Sequence, residues 1–580
     1  MLKKLMLFFL LLCITSPAFS MMEIMVEADM PIKNFNYVLG QDELTLLNPA
    51  DTADAIKGIT ELNVVKRGLG RMQGDIMITA GTYEQAAVML DGIRINDPQT
   101  GHYNLDIPIT SLDIESIGVI TTASPFSGFG AFTGLVSVQS RNISKDSVMT
   151  RGEYGSYNTW SAAVMAAKKV NDITASISAE KAGSDGYWPE TDYTKNTAFF
   201  KAGYGSNTLS LAYEDKNYGA YDFYTPGKNM PSREFLITRY AALNLKPWEF
   251  LSVKPYYRYH YDKFILNNNN PSYYQNRHNT SLYGADADVQ LKPHDSVEVR
   301  AKAGLRREEI QSSSFKNHYR AVGEADIAAA ISLPADLKLS VEGALTSYNS
   351  TAETDFLRSA MLEWKGLEVA KLYAGCSESS RYPSFTELYY NDPYTAGNDA
   401  LKPERSLDLK TGFDMEVGAI HFSVEGLYRY STDLIDWGKN DPSDAKWAVD
   451  NIGRVNTGSV TSALKMPFAI FNISAGHTYT DSYASSAYIS KYGANYLRNK
   501  FFASVDFELY GFITYLSYMY KSYDDRKDAY NGFDASVSYT FMEIVTAVIK
   551  CENLANMYYE EIIGIPAPGR VLKVIVSTQF

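Results

Sequence analysis

The feature that most constrains this chain is a strict two-residue alternation of apolar and charged side chains, repeated through residues 147–580. Val297, Val299, Ala301, Ala303 and Leu305 fall on one side of an extended backbone, and Glu298, Arg300, Lys302 and Arg306 on the other. Leu337, Leu339, Val341 and Leu345 alternate in the same way with Lys338, Ser340 and Glu342. Ile420, Phe422, Val424, Tyr428 and Tyr430 alternate with His421, Ser423, Glu425 and Arg429. A period of two describes a strand with one apolar face and one wet face. A soluble sandwich also alternates, but its strands commonly run about 5–6 residues. The runs here approach about 10, the length a tilted strand needs to cross a bilayer.

Composition agrees with that reading. Aromatics make up 13% of the chain, with 43 Tyr, while mean hydropathy is only -0.22. No uncharged apolar stretch reaches the roughly 18 residues of a helical membrane span. Tyr428, Tyr430, Tyr518, Tyr520 and Phe580 sit where an interfacial girdle would want them. At roughly 20 residues per strand and connection, 147–580 predicts a transmembrane β-barrel of about 22 antiparallel strands. A barrel that wide encloses a lumen that is either open or filled. The net charge of -13 argues against a nucleic-acid partner.

The segment ahead of the barrel reads differently. Lys3 and Lys4, an apolar run at 5–14 and then Ala18-Phe19-Ser20 predict a signal peptide over 1–20. Cys13 falls inside that run behind Leu12, which argues against lipidation; the mature chain keeps Cys376 and Cys551, whose pairing stays open. Residues 22–141 are denser in Val, Ile, Gly and Asp and carry short strands. Examples are Asp75-Ile76-Met77-Ile78-Thr79, Ala87-Val88-Met89-Leu90 closed by Asp91-Gly92, and Ile117-Gly118-Val119-Ile120. A small α/β unit over 31–146 is thus expected, of a size to fill the lumen.

Three ordered segments resemble the TonB-dependent receptor family. Val88-Met89-Leu90-Asp91-Gly92-Ile93-Arg94-Ile95-Asn96-Asp97 is similar to that family's plug hairpin. Ile114-Glu115-Ser116-Ile117-Gly118-Val119, Ser127-Gly128-Phe129-Gly130 and Gly134-Leu135-Val136-Ser137-Val138 resemble its plug ending. Arg381-Tyr382-Pro383-Ser384-Phe385-Thr386-Glu387-Leu388-Tyr389 with Leu401-Lys402-Pro403-Glu404 resembles a mid-barrel signature. Glu552-Asn553-Leu554, Tyr558-Tyr559 and Pro566-Ala567-Pro568-Gly569-Arg570 lead into a last strand that presents Leu572, Val574, Val576, Thr578 and Phe580 to lipid. The chain departs from the family at Thr79-Ala80-Gly81 and Ala123-Ser124-Pro125, where plug arginines usually stand and pair with barrel carboxylates. That departure puts the usual plug–barrel ion pairs in doubt.

The resemblance implies a multi-pass barrel of the outer membrane, monomeric, with the α/β unit as a plug, importing a scarce nutrient. It implies energy from TonB, with ExbB and ExbD, captured through a TonB box within 21–30. Glu23, Ile24, Met25, Val26, Glu27 and Ala28 fit such a box, because edge-strand capture makes loose sequence demands. Ligand contacts would come from plug apices at 67–73 and 97–104, where Arg71, Gln99, His102, Tyr103 and Asn104 offer hydrogen bonds or stacking. Ser184-Asp185-Gly186-Tyr187-Trp188 and the run from Tyr213 through Glu214, Asp215, Lys216, Asn217, Tyr218, Gly219, Ala220, Tyr221, Asp222 and Phe223 to Tyr224 read as the first extracellular loops. Within them Tyr187, Trp188, Tyr221, Phe223 and Tyr224 could stack on a flat ligand. Asp185, Glu190, Asp192 and Asp222 could supply oxygens to Ca2+.

Length and loop wording look most like the family's cobalamin receptor branch, with ferric siderophores and haem as rivals, since fold does not fix cargo. The contrasting class is a passive pore or adhesin without energy input. His102 and His421 read as lumen or loop residues rather than metal ligands. No nucleophile elbow, P-loop or HExxH arrangement is present, so no enzyme is expected.

Overall fold

A computed structural model describes residues 36–580 apart from 124–130, 226, 350–353, 393–394, 440, 485–488, 491–495, 525, 527–528 and 563. The predicted signal peptide, the segment 23–28, and Ser124, Pro125, Ser127, Gly128, Phe129 and Gly130 lie outside the described residues.

Residues from Ser147 onward form a closed barrel of 22 strands, each antiparallel to its neighbours, with the last strand, Val571–Gln579, paired to the first, Ser147–Gly155. Phe580 finishes the seam by exchanging backbone hydrogen bonds with Val148, at 2.9 and 3.1 Å. The alternation sorts as expected. Leu305 is 73% exposed to the lipid side while its neighbour Arg306 is buried in the lumen. Leu572, Val574 and Val576 face out, and Val571, Lys573 and Ile575 face in.

Inside the lumen lies a mixed five-stranded sheet. Its order is Tyr37–Leu39, Ile114–Ile120, Gly134–Ser140, Ala86–Leu90 and Ile93–Arg94. A separate hairpin joins Leu62–Lys66 to Gly74–Ile78. The Asp91-Gly92 turn has φ of 51° and 77°, the two left-handed positions that a tight type I′ hairpin requires. Two short helices precede the hairpin. Gln41–Leu47 starts with Glu43 reaching back to the Gly40 amide, and Thr52–Ile56 starts with Asp51 accepting from the Asp54 amide at 2.7 Å. The core of this unit is continuous with the inner wall, because Ile76, Val88 and Val136 share one apolar cluster with Tyr240, Tyr256 and Leu282.

The connections at one end of the barrel are tight, such as 171–172 and 205–206; those at the other end are long, such as 185–192, 220–232, 382–403 and 433–454. One expectation fails here. The segment 213–219 belongs to the strand Asn207–Gly219, so the loop proper begins at Ala220. Its charges suggested solvent, yet Glu214 and Lys216 are lumen-facing and paired, with Lys195 and Asp106.

Candidate ligand site at the plug apex

The long loops fold down over the plug. The mid-barrel signature is the base of one of them. Arg381 pairs bidentately with Glu387, both bonds 2.9 Å, and with Glu404 at 2.5 Å. Ser384 and Glu387 form a capping box over the helix Phe385–Tyr389. The helix then donates its Phe385 and Thr386 amides to the carbonyls of Pro98 and Gln99, at 2.9 and 3.1 Å. Gln85 reaches from the plug to Glu404 at 3.0 Å. The signature therefore seats a loop on the 97–104 apex, a role that the sequence pattern alone does not disclose.

The predicted site residues do not form one surface. Arg71 is 3% exposed and fastens the plug to the wall, with Nε to Glu180 at 2.9 Å and Nη2 to Glu153 at 3.2 Å. Burial alone would lower its basicity, but the two carboxylates hold it well above the usual arginine range. Asn104 is also internal, accepting from the Asp97 amide at 3.2 Å and donating to the Tyr83 carbonyl at 3.3 Å. His102 stacks on Tyr83, ring centroids 3.9 Å apart, with Nδ1 2.9 Å from Asp75. Burial pushes the Asp75 carboxyl up, but His102 and Arg67 together hold it below the ordinary range.

Gln99 and Tyr103 meet a wall that the sequence reading missed. Lumen-facing Arg258, His260 and Asp262 lie on the strand Leu251–Ile265, and Asn276, His278 and Thr280 on the neighbouring strand Gln275–His294. Arg258 and Thr280 both reach Asp97, at 2.7 and 3.1 Å, and Gln99 donates to Asp262 at 3.1 Å. Tyr103 lies 4.7 Å from the His260 ring. Around these contacts several sealed polar atoms have no partner in the protein: Gln99 Oε1, Arg258 Nε and Nη2, His260 Nε2, Asp262 Oδ1, Asn276 Oδ1 and His278 Nδ1. Buried polar groups are normally bonded, and leaving one unmet costs about 1–3 kcal/mol. So many in one place make this the candidate ligand site, where a ligand or ordered water would supply the partners. The available signal was the run Tyr257-Arg258-Tyr259-His260-Tyr261-Asp262, whose tyrosines point outward and whose polar partners therefore point in.

The loop aromatics stand above and beside this site. Phe223 is buried against Leu69 and Met72 of the other apex, and Arg67 lies 5.6 Å from its ring and 5.3 Å from that of Tyr224. Tyr224 donates to Glu234 at 2.8 Å, Tyr187 to the Pro566 carbonyl at 2.7 Å and Tyr221 to Asn229 at 2.9 Å. Trp188 is 45% exposed at the rim. The loop carboxylates are engaged locally. Asp222 accepts from the amides of Asn229 and Met230 at 2.9 and 2.6 Å, Asp192 and Glu190 pair with Arg233, and Asp185 accepts from Asn158. Among the described residues no group of three or more His, Cys, Asp or Glu is gathered for a metal. Cys376 and Cys551 are both free.

The positions of the missing plug arginines are also accounted for. At Thr79 the wall supplies the cation: Arg429 pairs with Asp408 at 2.8 Å and donates to the Thr79 carbonyl at 3.4 Å. Asp408 in turn accepts from the Ala123 amide at 3.2 Å. Ion pairs do cross from plug to wall, several with the cation on the wall: Lys216 to Asp106 at 2.5 Å, Arg258 to Asp97 at 2.7 Å and Lys550 to Asp54 at 3.2 Å.

Comparison with known proteins agrees with this architecture. Residues 120–554 match the family described as TonB dependent receptor-like, beta-barrel, and residues 33–135 match the TonB-dependent Receptor Plug Domain. The vitamin B12 transporter BtuB of Vibrio vulnificus (strain YJ016) is 20% identical over 575 residues, covering 90% of this chain and 88% of that protein. The siderophore receptor PirA from Pseudomonas aeruginosa superposes with a TM-score of 0.74 at 14% identity, covering 94% of this chain and 99% of its own. The apoprotein form of the FrpB iron transporter from Neisseria meningitidis gives 0.77 at 12%, covering 93% and 98%. A plug fused ahead of a closed barrel, both matched over their own stretches, makes the chain a member of the TonB-dependent receptor family, an outer-membrane protein of TonB-dependent nutrient import.

Proposed function

We propose that the cargo is cobalamin or a related corrinoid, bound between the 97–104 apex and the wall strands Leu251–Ile265 and Gln275–His294. The observation that carries this reading is the set of unmet polar atoms around Gln99, Arg258, His260, Asp262, Asn276 and His278. Donors and acceptors are mixed there, which suits a ligand whose rim carries neutral amides, as a corrinoid's does. Tyr103 and the loop residues Tyr187, Trp188, Tyr221, Phe223 and Tyr224 would supply the flat apolar contact that a macrocycle takes. The BtuB relative spans most of both chains and supports the same reading. A ferric siderophore or haem is the second reading, favoured by the fold shared with PirA and FrpB. Arg71, His102 and Asn104 hold the apex in shape in either case.

Energy would enter through 23–28, captured by TonB with ExbB and ExbD as an added strand. A monomer embedded in outer-membrane lipid suffices for this scheme. The loop carboxylates would have to give up existing bonds to take Ca2+, so the reading includes no calcium.

The test is titration of the purified protein with cyanocobalamin, haem and a ferric siderophore panel, followed by Tyr and Trp fluorescence. Sub-micromolar binding of the corrinoid alone supports the proposal; tight binding of an iron chelate alone replaces it. Deleting 23–28 should abolish uptake with binding intact, whereas unchanged uptake would mean a passive pore.

A further inference from the structure

Against the 97–104 apex, whose Asp97, Pro98 and Asn104 help to line it, a cavity of about 40 Å3 separates the plug from the wall. A water needs about 10–15 Å3 on this measure, so the space exceeds one water. Four guanidinium groups face it: Arg94 from the plug, and Arg306, Arg320 and Arg381 from the wall and its loop base. The three wall arginines are fully committed. Arg306 pairs with Glu308 at 2.8 Å and Glu324 at 2.6 Å, Arg320 with Glu308, and Arg381 with Glu387 and Glu404.

Arg94 is different. It sits on the second strand of the Asp91-Gly92 hairpin, and its Nε donates to Asn96 Oδ1 at 3.2 Å. Its Nη1 is sealed from solvent with no partner in the protein, and among the described residues Arg94 makes no ion pair. Neither plug carboxyl lining the cavity serves it: Asp97 is held by Arg258 at 2.7 Å, and Glu84 is uncharged. Burial first, and the Glu387 carboxylate second, push the Glu84 carboxyl up to about 8, so it is protonated near neutral pH. The nearest wall carboxylates, Glu308 and Glu324, act on Arg94 only from beyond ion-pair distance and are bonded to Arg306 and Arg320, so the sealed Nη1 keeps a fork that matches a two-oxygen anion.

We propose that the cavity is an oxyanion subsite in which Arg94, flanked by Arg306, Arg320 and Arg381, takes a carboxylate or phosphate group. This goes beyond the cargo reading and does not rest on it. Two sources share this chemistry: a free anion held as a resident counter-ion, or an anionic group on the cargo as it passes down the plug–wall seam.

The experiment uses the full-length protein in detergent, titrated with inorganic phosphate against chloride at constant ionic strength while thermal unfolding is followed. Wild type should gain about 2 °C or more in Tm. Arg94→Gln should gain nothing, and Arg94→Lys, which keeps the charge and loses the fork, should gain less than wild type. Anion analysis of the denatured protein separates the sources. One equivalent released from wild type and none from Arg94→Gln identifies a resident ion. None released from either, with the phosphate response retained, assigns the site to a group on the cargo. Equal responses in wild type and Arg94→Gln, or no response in wild type together with no anion released on its denaturation, would overturn the proposal and leave a water-filled cavity. If Arg94→Gln does not fold, the comparison of wild type with Arg94→Lys decides it on the same criterion.

Discussion

Two arcs of the barrel wall meet the plug in opposite ways. Along the strands nearest the chain ends, charges cross the interface. Arg71 of the plug bonds Glu153 and Glu180, Lys57 bonds Asp534 at 3.0 Å and Glu552 at 3.5 Å, and Lys550 bonds Asp54. Lys500 pushes its ammonium into the plug and donates to the carbonyls of Lys57, Ile59 and Leu62 at 2.6–2.7 Å. About half-way round, along 275–333, the wall charges pair with one another: Arg300 with Asp288, Lys302 with Asp286 at 3.2 Å, Arg306 with Glu308 and Glu324, and Arg320 with Glu308. The plug faces this arc with Arg94, a cavity, and the unmet polar atoms of the apex site. One arc holds the plug by several ion pairs; the other pairs its charges with one another and reaches the plug through Asp97, by Thr280 and by Arg258 of the neighbouring strand. If the plug is remodelled under a pull, the difference predicts that it parts first on the self-paired side.

The largest break in this contrast should come from the fastened arc. Arg71→Met removes the shared cation from two buried carboxylates, leaving Glu153 to Lys573 at 3.7 Å and Glu180 to the Ser111 amide, at a cost of about 3 kcal/mol. Plug protease sensitivity and ion leakage through the reconstituted barrel should both rise. The matched change in the self-paired arc, Arg306→Met, should disturb the wall and leave plug protection near wild type.

Lys500→Met comes next. It removes three charge-assisted bonds together with the buried charge, and the two partly offset, so a loss of about 2 kcal/mol is expected in denaturant unfolding. The third is a pH effect on the seat of the 382–403 loop. The Glu84 carboxyl is raised from 4.5 to about 8 in the folded protein, so the fold favours its protonated form. Its contribution is complete below the unfolded value and is lost as pH rises through about 8, each unit of displacement being worth about 1.4 kcal/mol at most. Wild-type Tm should therefore fall across that window, and Glu84→Gln should flatten the fall. The smallest effect is Trp188→Ala, which should change stability by less than about 0.5 kcal/mol because the ring is at the rim. Cargo affinity should fall nonetheless if the aromatics cap the site.

The barrel was legible because alternation is a local property: Leu305 and Arg306 face opposite ways wherever the strand lies, and a barrel turns that into lipid and lumen. The hairpin at Asp91-Gly92 was legible for the same reason, since its turn chemistry lies in two residues. The site was legible only in part. The run at 213–219 looked like a charged loop because a lumen filled by a plug buries charges that sequence assigns to water. Arg71 looked like an exposed apex, and only the fold sets it against Glu153 and Glu180, 82 and 109 residues away in the chain. The plug arginines absent near Thr79 and Ala123 could not be replaced on paper, because Arg429 stands 350 residues from Thr79. Gln99 and Tyr103 were found from the plug side, but their partners on Leu251–Ile265 needed the register of the barrel.

Amide hydrogen exchange on the purified full-length protein in mild denaturant tests the central claim most directly. The account predicts that 93–96, which faces the self-paired arc around Arg94, loses protection at lower denaturant than 51–66, which is tied down by Lys57, Lys500 and Lys550. Simultaneous opening of the two segments, or earlier opening of 51–66, would contradict it.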